Sequence, residues 1–203
     1  MTEREVETFG RCIAVGGVAL FPTDTVYGLA TEPDSREGID RLYRLKGRRP
    51  ERPAAVMFFD TDLALDALPE LPPETRTAME RLLPGGVTLL LPNERHRFPL
   101  ACMPTPGVLG LRVPTLSGAL EPLRWMRRPV LQSSANPSGG AEARRVGDVD
   151  ERVRAGVDLL LDGGDLPGTH STVVDLTSYH EDRRFAVVRE GAVAAERVAA
   201  ALG

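Results

Sequence analysis

The sequence predicts an α/β fold: a twisted open sheet of mixed parallel and antiparallel strands with flanking helices. Two patterns carry this expectation. Helix-spaced apolar residues and short strand-like apolar runs alternate from end to end. Several strand runs are joined by only a few residues, too few for a crossover, so those neighbours should be antiparallel. No repeat or low-complexity linker interrupts the 203 residues, and a 42% hydrophobic content is enough for one core, so 1–203 reads as a single domain.

Val6, Phe9 and Ile13 share one helical face, and Gly16-Gly17 ends that helix before the strand "VALF". "PTDT" is a loop leading into "VYGLA". Asp34 with Glu37 three positions on resembles a capping box, opening a helix with Ile39, Leu42 and Tyr43 inward and Gly47 as its stop. "AAVMFF" reads as a strand, "LALDAL" and "PETRTAMERLL" as helices, and "VTLLL" as a strand. "VLGLRV" and "PVLQSS" are strands flanking the helix candidate "GALEPLRWM", where Pro122 belongs in the first turn or bends the helix. "DVDERVRAG" is a polar helix and "VDLLLD" a strand; "STVVDL" and "FAVVRE" form an antiparallel pair, and "AVAAERVAAAL" is the closing helix.

Net charge is −4, so no global field draws the chain to nucleic acid or anionic membrane. Cys12 and Cys102 have no ligand-spaced neighbours, and His96, His170 and His180 lack metal-ligand spacing. This points away from zinc and disulfides. "MTEREVETFG" lacks the apolar run of a signal peptide and no 18-residue apolar stretch follows, which reads as a cytoplasmic protein without membrane association.

The basic residues are 24 arginines and one lysine, Lys46. Its phase, three past Tyr43 and seven past Ile39, puts it on the apolar side of its helix. An arginine would cap a helix end or snorkel equally well, so a lone ammonium beside Arg48, Arg49 and Arg52 suits a phosphate or carboxylate site. No Walker-type or dinucleotide-binding glycine loop is present. "SSANPSGG" offers Ser133, Ser134 and Asn136 at a strand end before a glycine turn, an arrangement that either binds an anion or simply stabilises an Asn-Pro turn. "DGGDLPGTHSTVVD" brings Ser171 to a strand mouth, but without a nucleophile elbow a hydrolase triad is disfavoured. Arg112 interrupts an apolar strand, so it either pairs internally or reaches a ligand.

In order, "FPTDTVYGLA", "RLYRLKGRRPERP", "LLPGGVTLLL", "GLRVP", "SSANPSG", "STVVDL" and "VVREG" resemble the YrdC-like, threonylcarbamoyl-AMP synthase family in its short form, over nearly the whole chain. The resemblance implies the YrdC-like (DHBP synthase-like) fold with a concave, positive cleft. It also implies condensation of L-threonine, bicarbonate and ATP with Mg2+ into threonylcarbamoyl-adenylate and pyrophosphate, for a downstream tRNA-modifying transferase. By resemblance Lys46 and Arg48 are catalytic and hold ATP phosphates and the carbamate. Arg52, Asn136, Arg144 and Arg189 face ATP; Thr25, Arg112, Ser134 and Ser171 face threonine.

Met57 stands where many synthases carry histidine, which points to an altered side-chain pocket or another acceptor amine. An RNA- or ribosome-binding module is the other reading. It rests on the basic run from Arg41 to Arg52 and is weakened by an aromatic content of only 5% for base stacking.

Overall fold

A computed structural model describes residues 1–47 and 54–203; Arg48, Arg49 and Arg52 lie outside the described residues. The strands are β1 (Ala19–Phe21), β2 (Gly28–Thr31), β3 (Ala55–Met57), β4 (Val87–Pro92), β5 (Val108–Arg112), β6 (Val130–Ser134), β7 (Leu159–Leu160), β8 (Thr172–Asp175) and β9 (Ala186–Arg189). The helices are α1 (Glu3–Ala14), α2 (Arg36–Lys46), α3 (Thr61–Ala67), α4 (Pro73–Leu82), α5 (Glu151–Gly156), α6 (Tyr179–Asp182) and α7 (Ala195–Leu202).

The strands form one sheet in the order β7-β1-β2-β6-β3-β5-β4-β8-β9. Pairs β1/β7, β3/β5 and β4/β8 are parallel, and the other neighbours are antiparallel. This is the mixed open sheet expected from the short connections, and β8/β9 is antiparallel as the turn between them requires.

Strand alternation divides the core into two layers. Leu20, Leu29, Val56, Leu89, Leu111 and Val174 point to one face, where α2, α4 and α7 contribute Leu42, Met79 and Val198. Ala19, Phe21, Ala30, Met57 and Val130 point to the other, under Phe9 and Ile13 of α1 and Leu123. Phe9 stacks on Phe21 at 5.2 Å between ring centroids, and Phe59 meets Phe9 edge-on at 6.2 Å. That second layer is narrow. On the same sheet face β4 leaves Thr88 and Leu90 only half-buried, and the molecule opens there.

Several elements differ from expectation for local reasons. Ser35, not Asp34, caps α2, its hydroxyl accepting from the Gly38 N–H at 3.1 Å. Gly118–Trp125 is a 3-10 segment rather than an α-helix, because Pro122 has no N–H to extend an i→i−4 ladder. The predicted polar helix splits at Asp150, which caps α5, and "VDLLLD" pairs over two residues only. Short α6 forms inside "TSYHEDRR". Among the described residues no helix is long and apolar enough to cross a membrane.

Candidate active site

The first part of the site lies where α2 ends. Gly47 adopts the left-handed conformation (φ 57°), which stops the helix directly after Lys46. Ile39, Leu42 and Tyr43 anchor the inner face of α2, so helical phase carries Lys46 inward, and it is 2% exposed. Its ammonium donates to the Ser134 carbonyl, to the Asn136 carbonyl at 2.6 Å and to Asn136 Oδ1 at 3.3 Å. Ser134 Oγ donates to the same Oδ1 at 2.5 Å, and Asn136 Nδ2 donates to the Gly140 carbonyl at 2.6 Å. The Ser138 N–H returns to the Lys46 carbonyl at 2.9 Å. The ammonium therefore clamps the loop after β6 and fixes the orientation of Ser134.

The second part is Arg112 at the end of β5, also 2% exposed. Its Nη2 donates to Asp24 Oδ1 and, at 2.6 Å, to Thr25 Oγ1. Because the Thr23 hydroxyl gives its proton to the Val26 carbonyl at 2.7 Å, Thr25 must donate to Thr23 across their 3.0 Å contact. A relay thus runs from Arg112 through Thr25 and Thr23 to the main chain. Burial pulls the guanidinium below its ordinary value while Asp24 opposes the shift. Arg112 Nε is buried and has no hydrogen-bond partner among the described residues.

The third part is the β8/β9 edge. Arg189 Nη2 donates to the Ser171 carbonyl at 2.9 Å and approaches Ser171 Oγ at 3.4 Å. The Ser171 and Thr88 hydroxyls are 2.7 Å apart. Partial burial, and more weakly the charge of Arg112, lower the Arg189 value, and Glu142 opposes them.

These parts meet in a cleft of about 220 Å³ on the open sheet face. Arg112, Arg189, Ser134, Ser171, Thr88 and Glu142 line its walls, and between Leu90, Val108, Gln132 and Val173 the small Ala55 and Gly110 leave the middle of the floor bare. A further brace comes from Tyr27, whose hydroxyl lies 2.9 Å from both Asp162 Oδ1 and the Gly164 carbonyl and accepts from the Gly163 N–H at 3.0 Å. Burial pushes its phenol up to about 12. The loop held this way returns to the site, because the Gly168 N–H donates to the Thr25 carbonyl at 2.8 Å.

Of the residues singled out in the sequence, Arg112, Ser133, Ser134, Ser171 and Arg189 line the cleft. Lys46 and Asn136 stand behind Ser134, and Thr25 behind Arg112. Arg144 is exposed, outside the cleft wall, with Nε donating to the Leu166 carbonyl at 3.1 Å. Met57 is fully buried in the aromatic layer, facing Arg112 across β3 and β5, and does not line the cleft. Sequence reasoning missed Thr88 and Glu142. Thr88 is the one hydroxyl in an apolar strand and could have been noticed as Arg112 was; nothing in the local pattern marks Glu142.

Strand order and the open, arginine-lined face define the class, a YrdC-like α/β protein. Escherichia coli YciO has the same fold, at a TM-score of 0.78 and 23% identity, covering 97% of this chain and 94% of that one. Residues 11–191 match the family model described as "Sua5_yciO_yrdC: Telomere recombination", and the chain belongs to that family. The threonylcarbamoyl-AMP synthase of Bacillus subtilis is 30% identical over 187 residues, covering 92% of this chain and 53% of the relative. The crystal structure of Pyrococcus abyssi Sua5 complexed with L-threonine matches at a TM-score of 0.85 and 26% identity, covering 100% of this chain and 58% of that one. The chain thus spans little more than half the length of these two relatives.

Proposed function

We propose that the protein, acting as a single domain, is a threonylcarbamoyl-AMP synthase. It condenses L-threonine, bicarbonate and ATP into threonylcarbamoyl-adenylate and pyrophosphate, for transfer of the threonylcarbamoyl group to tRNA by a downstream enzyme. One observation carries the reading: two arginines and two serines converge over a bare sheet floor in a single cleft.

The chemistry needs positioning more than a protein nucleophile. The threonine amine captures CO2 as a carbamate, whose oxygen attacks the α-phosphorus of ATP as pyrophosphate departs in line. Arg112 takes the threonine carboxylate, with Thr25 and Asp24 fixing its fork, while Ser134 and Ser171 hydrogen-bond the substrate. Arg189 faces the phosphates, and by the family resemblance Arg48 and Arg52 bind them too; fixed donors stabilise accumulating charge by a few kcal/mol each, on the order of 3. Lys46 and Asn136 hold the Ser134 loop at the phosphate side. Mg2+ arrives with the nucleotide as MgATP; the described residues contain no group of three metal-ligating side chains.

The RNA-binding reading has less support. In the described part of the basic run, Arg41 is half-buried and paired with Asp158 at 2.6 Å, Lys46 is buried, and Arg44 is exposed. The test is pyrophosphate release by purified protein. Release that requires threonine, bicarbonate and ATP together supports the proposal; ATP binding without such release overturns it.

A further inference from the structure

Four buried side-chain polar atoms lack a hydrogen-bond partner among the described residues: Thr75 Oγ1, Arg112 Nε, Glu142 Oε2 and His180 Nδ1. Arg112 and Glu142 line the cleft, and they carry opposite charges. An ionised oxygen shielded from water and left unpaired is unfavourable, as is an unpaired guanidinium N–H, so each gains from a complementary group that enters the cleft. Glu142 makes no ion pair with Arg189 or Arg112 in the described structure, although its charge is felt at Arg189. A triphosphate gains nothing from a carboxylate in its path, since like charges repel. A zwitterion satisfies both walls at once.

We propose that Glu142 is the specificity residue that receives the ammonium group of the amino-acid substrate, while Arg112 Nε receives its carboxylate. The inference rests on the amino-acid reading of the cleft given above. It explains why an acid stands among cationic and hydroxyl groups: the carboxylate selects ligands that carry a positive charge as well as a carboxylate, and it discriminates against simple hydroxy acids.

The test compares L-threonine with 2,3-dihydroxybutanoate, its analogue with hydroxyl in place of ammonium, by titration calorimetry on the full chain. Wild type should bind threonine more tightly by about tenfold or more, the worth of one charge-assisted hydrogen bond. Glu142→Gln, which keeps the side-chain shape, should weaken threonine binding until the two ligands differ by less than about threefold, with the analogue's affinity unchanged. Glu142→Asp, which keeps the charge, should retain the preference for threonine. If threonine binds wild type and Glu142→Gln equally, the assignment is overturned while the amino-acid reading stands. If Glu142→Gln instead weakens only Mg2+-dependent nucleotide binding, the carboxylate serves the metal and the assignment is likewise overturned. If wild type binds ATP but neither ligand, the amino-acid reading falls and the assignment with it.

Discussion

The Lys46 ammonium lies 2.6 Å from the main-chain oxygen of Asn136, a residue ninety positions further along the chain. This contact joins the end of α2 to the loop after β6, so the lysine acts on the cleft partly by holding Ser134 in place. A guanidinium is wider and planar and cannot enter the same nest of carbonyls without moving the loop. Lys46→Arg should therefore lower threonine-dependent pyrophosphate release by about tenfold or more, and Lys46→Met should cost about 1–3 kcal/mol of stability in urea unfolding. Wild-type turnover in Lys46→Arg would contradict the argument.

Asp24 and Arg112 form an ion pair whose side chains are 10% and 3% exposed. Removing one partner of such a pair leaves an uncompensated buried charge, and Asp24→Ala should destabilise the fold by about 3–5 kcal/mol. Replacing both residues with apolar ones should recover much of that stability and none of the threonine affinity. Calorimetric binding beside denaturant unfolding separates the two effects.

Alkaline pH should weaken the protein through Tyr27. Its folded-state value is raised to about 12, whereas a tyrosine in an unfolded chain titrates near 10. A raised value means that the folded state holds the phenolic proton more tightly, so the stabilisation is complete below about pH 10 and is lost as pH climbs toward 12. Unfolding free energy followed from pH 9 to 12 should fall through this window, and Tyr27→Phe should flatten the slope there. An unchanged slope in the variant would assign the alkaline loss to other groups.

At the β8/β9 edge, Arg189→Ala should weaken ATP binding by roughly tenfold to a hundredfold, the range for a charge-assisted contact to phosphate. Ser171→Ala should affect ATP less, because the Arg189 fork keeps its 2.9 Å contact with the Ser171 carbonyl. The serine variant should show its effect in the KM for threonine. Fluorescent-nucleotide binding and steady-state kinetics distinguish these outcomes.

Strands and helices packed on both sides were readable because continuous apolar runs and helical spacing record burial directly, as the wholly buried Ala19, Leu20 and Phe21 show. The 118–125 segment was misread because its apolar spacing looks helical while the missing N–H of Pro122 decides the hydrogen-bond pattern. Lys46 and Arg112 stand out in the sequence as charges in apolar phase, and that anomaly alone leads to the clamp and to the ion pair. Glu142 is different. It sits in a polar loop where an acid is unremarkable, and only the path of the chain past Gly140 brings its carboxylate to the cleft wall. A long-range juxtaposition of that kind leaves no periodic trace.

The bare floor separates the size of the chamber from the integrity of the sheet. A methyl group added at Gly110 would meet the Ala55 Cα at 3.5 Å, an ordinary van der Waals distance. The strand can thus carry an alanine there without distortion, while whatever rests on that position is lifted. Clearance above β5 is adjustable one substitution at a time, and descendants of this scaffold could trade one acceptor for a slimmer one while every backbone hydrogen bond beneath it stayed as it is.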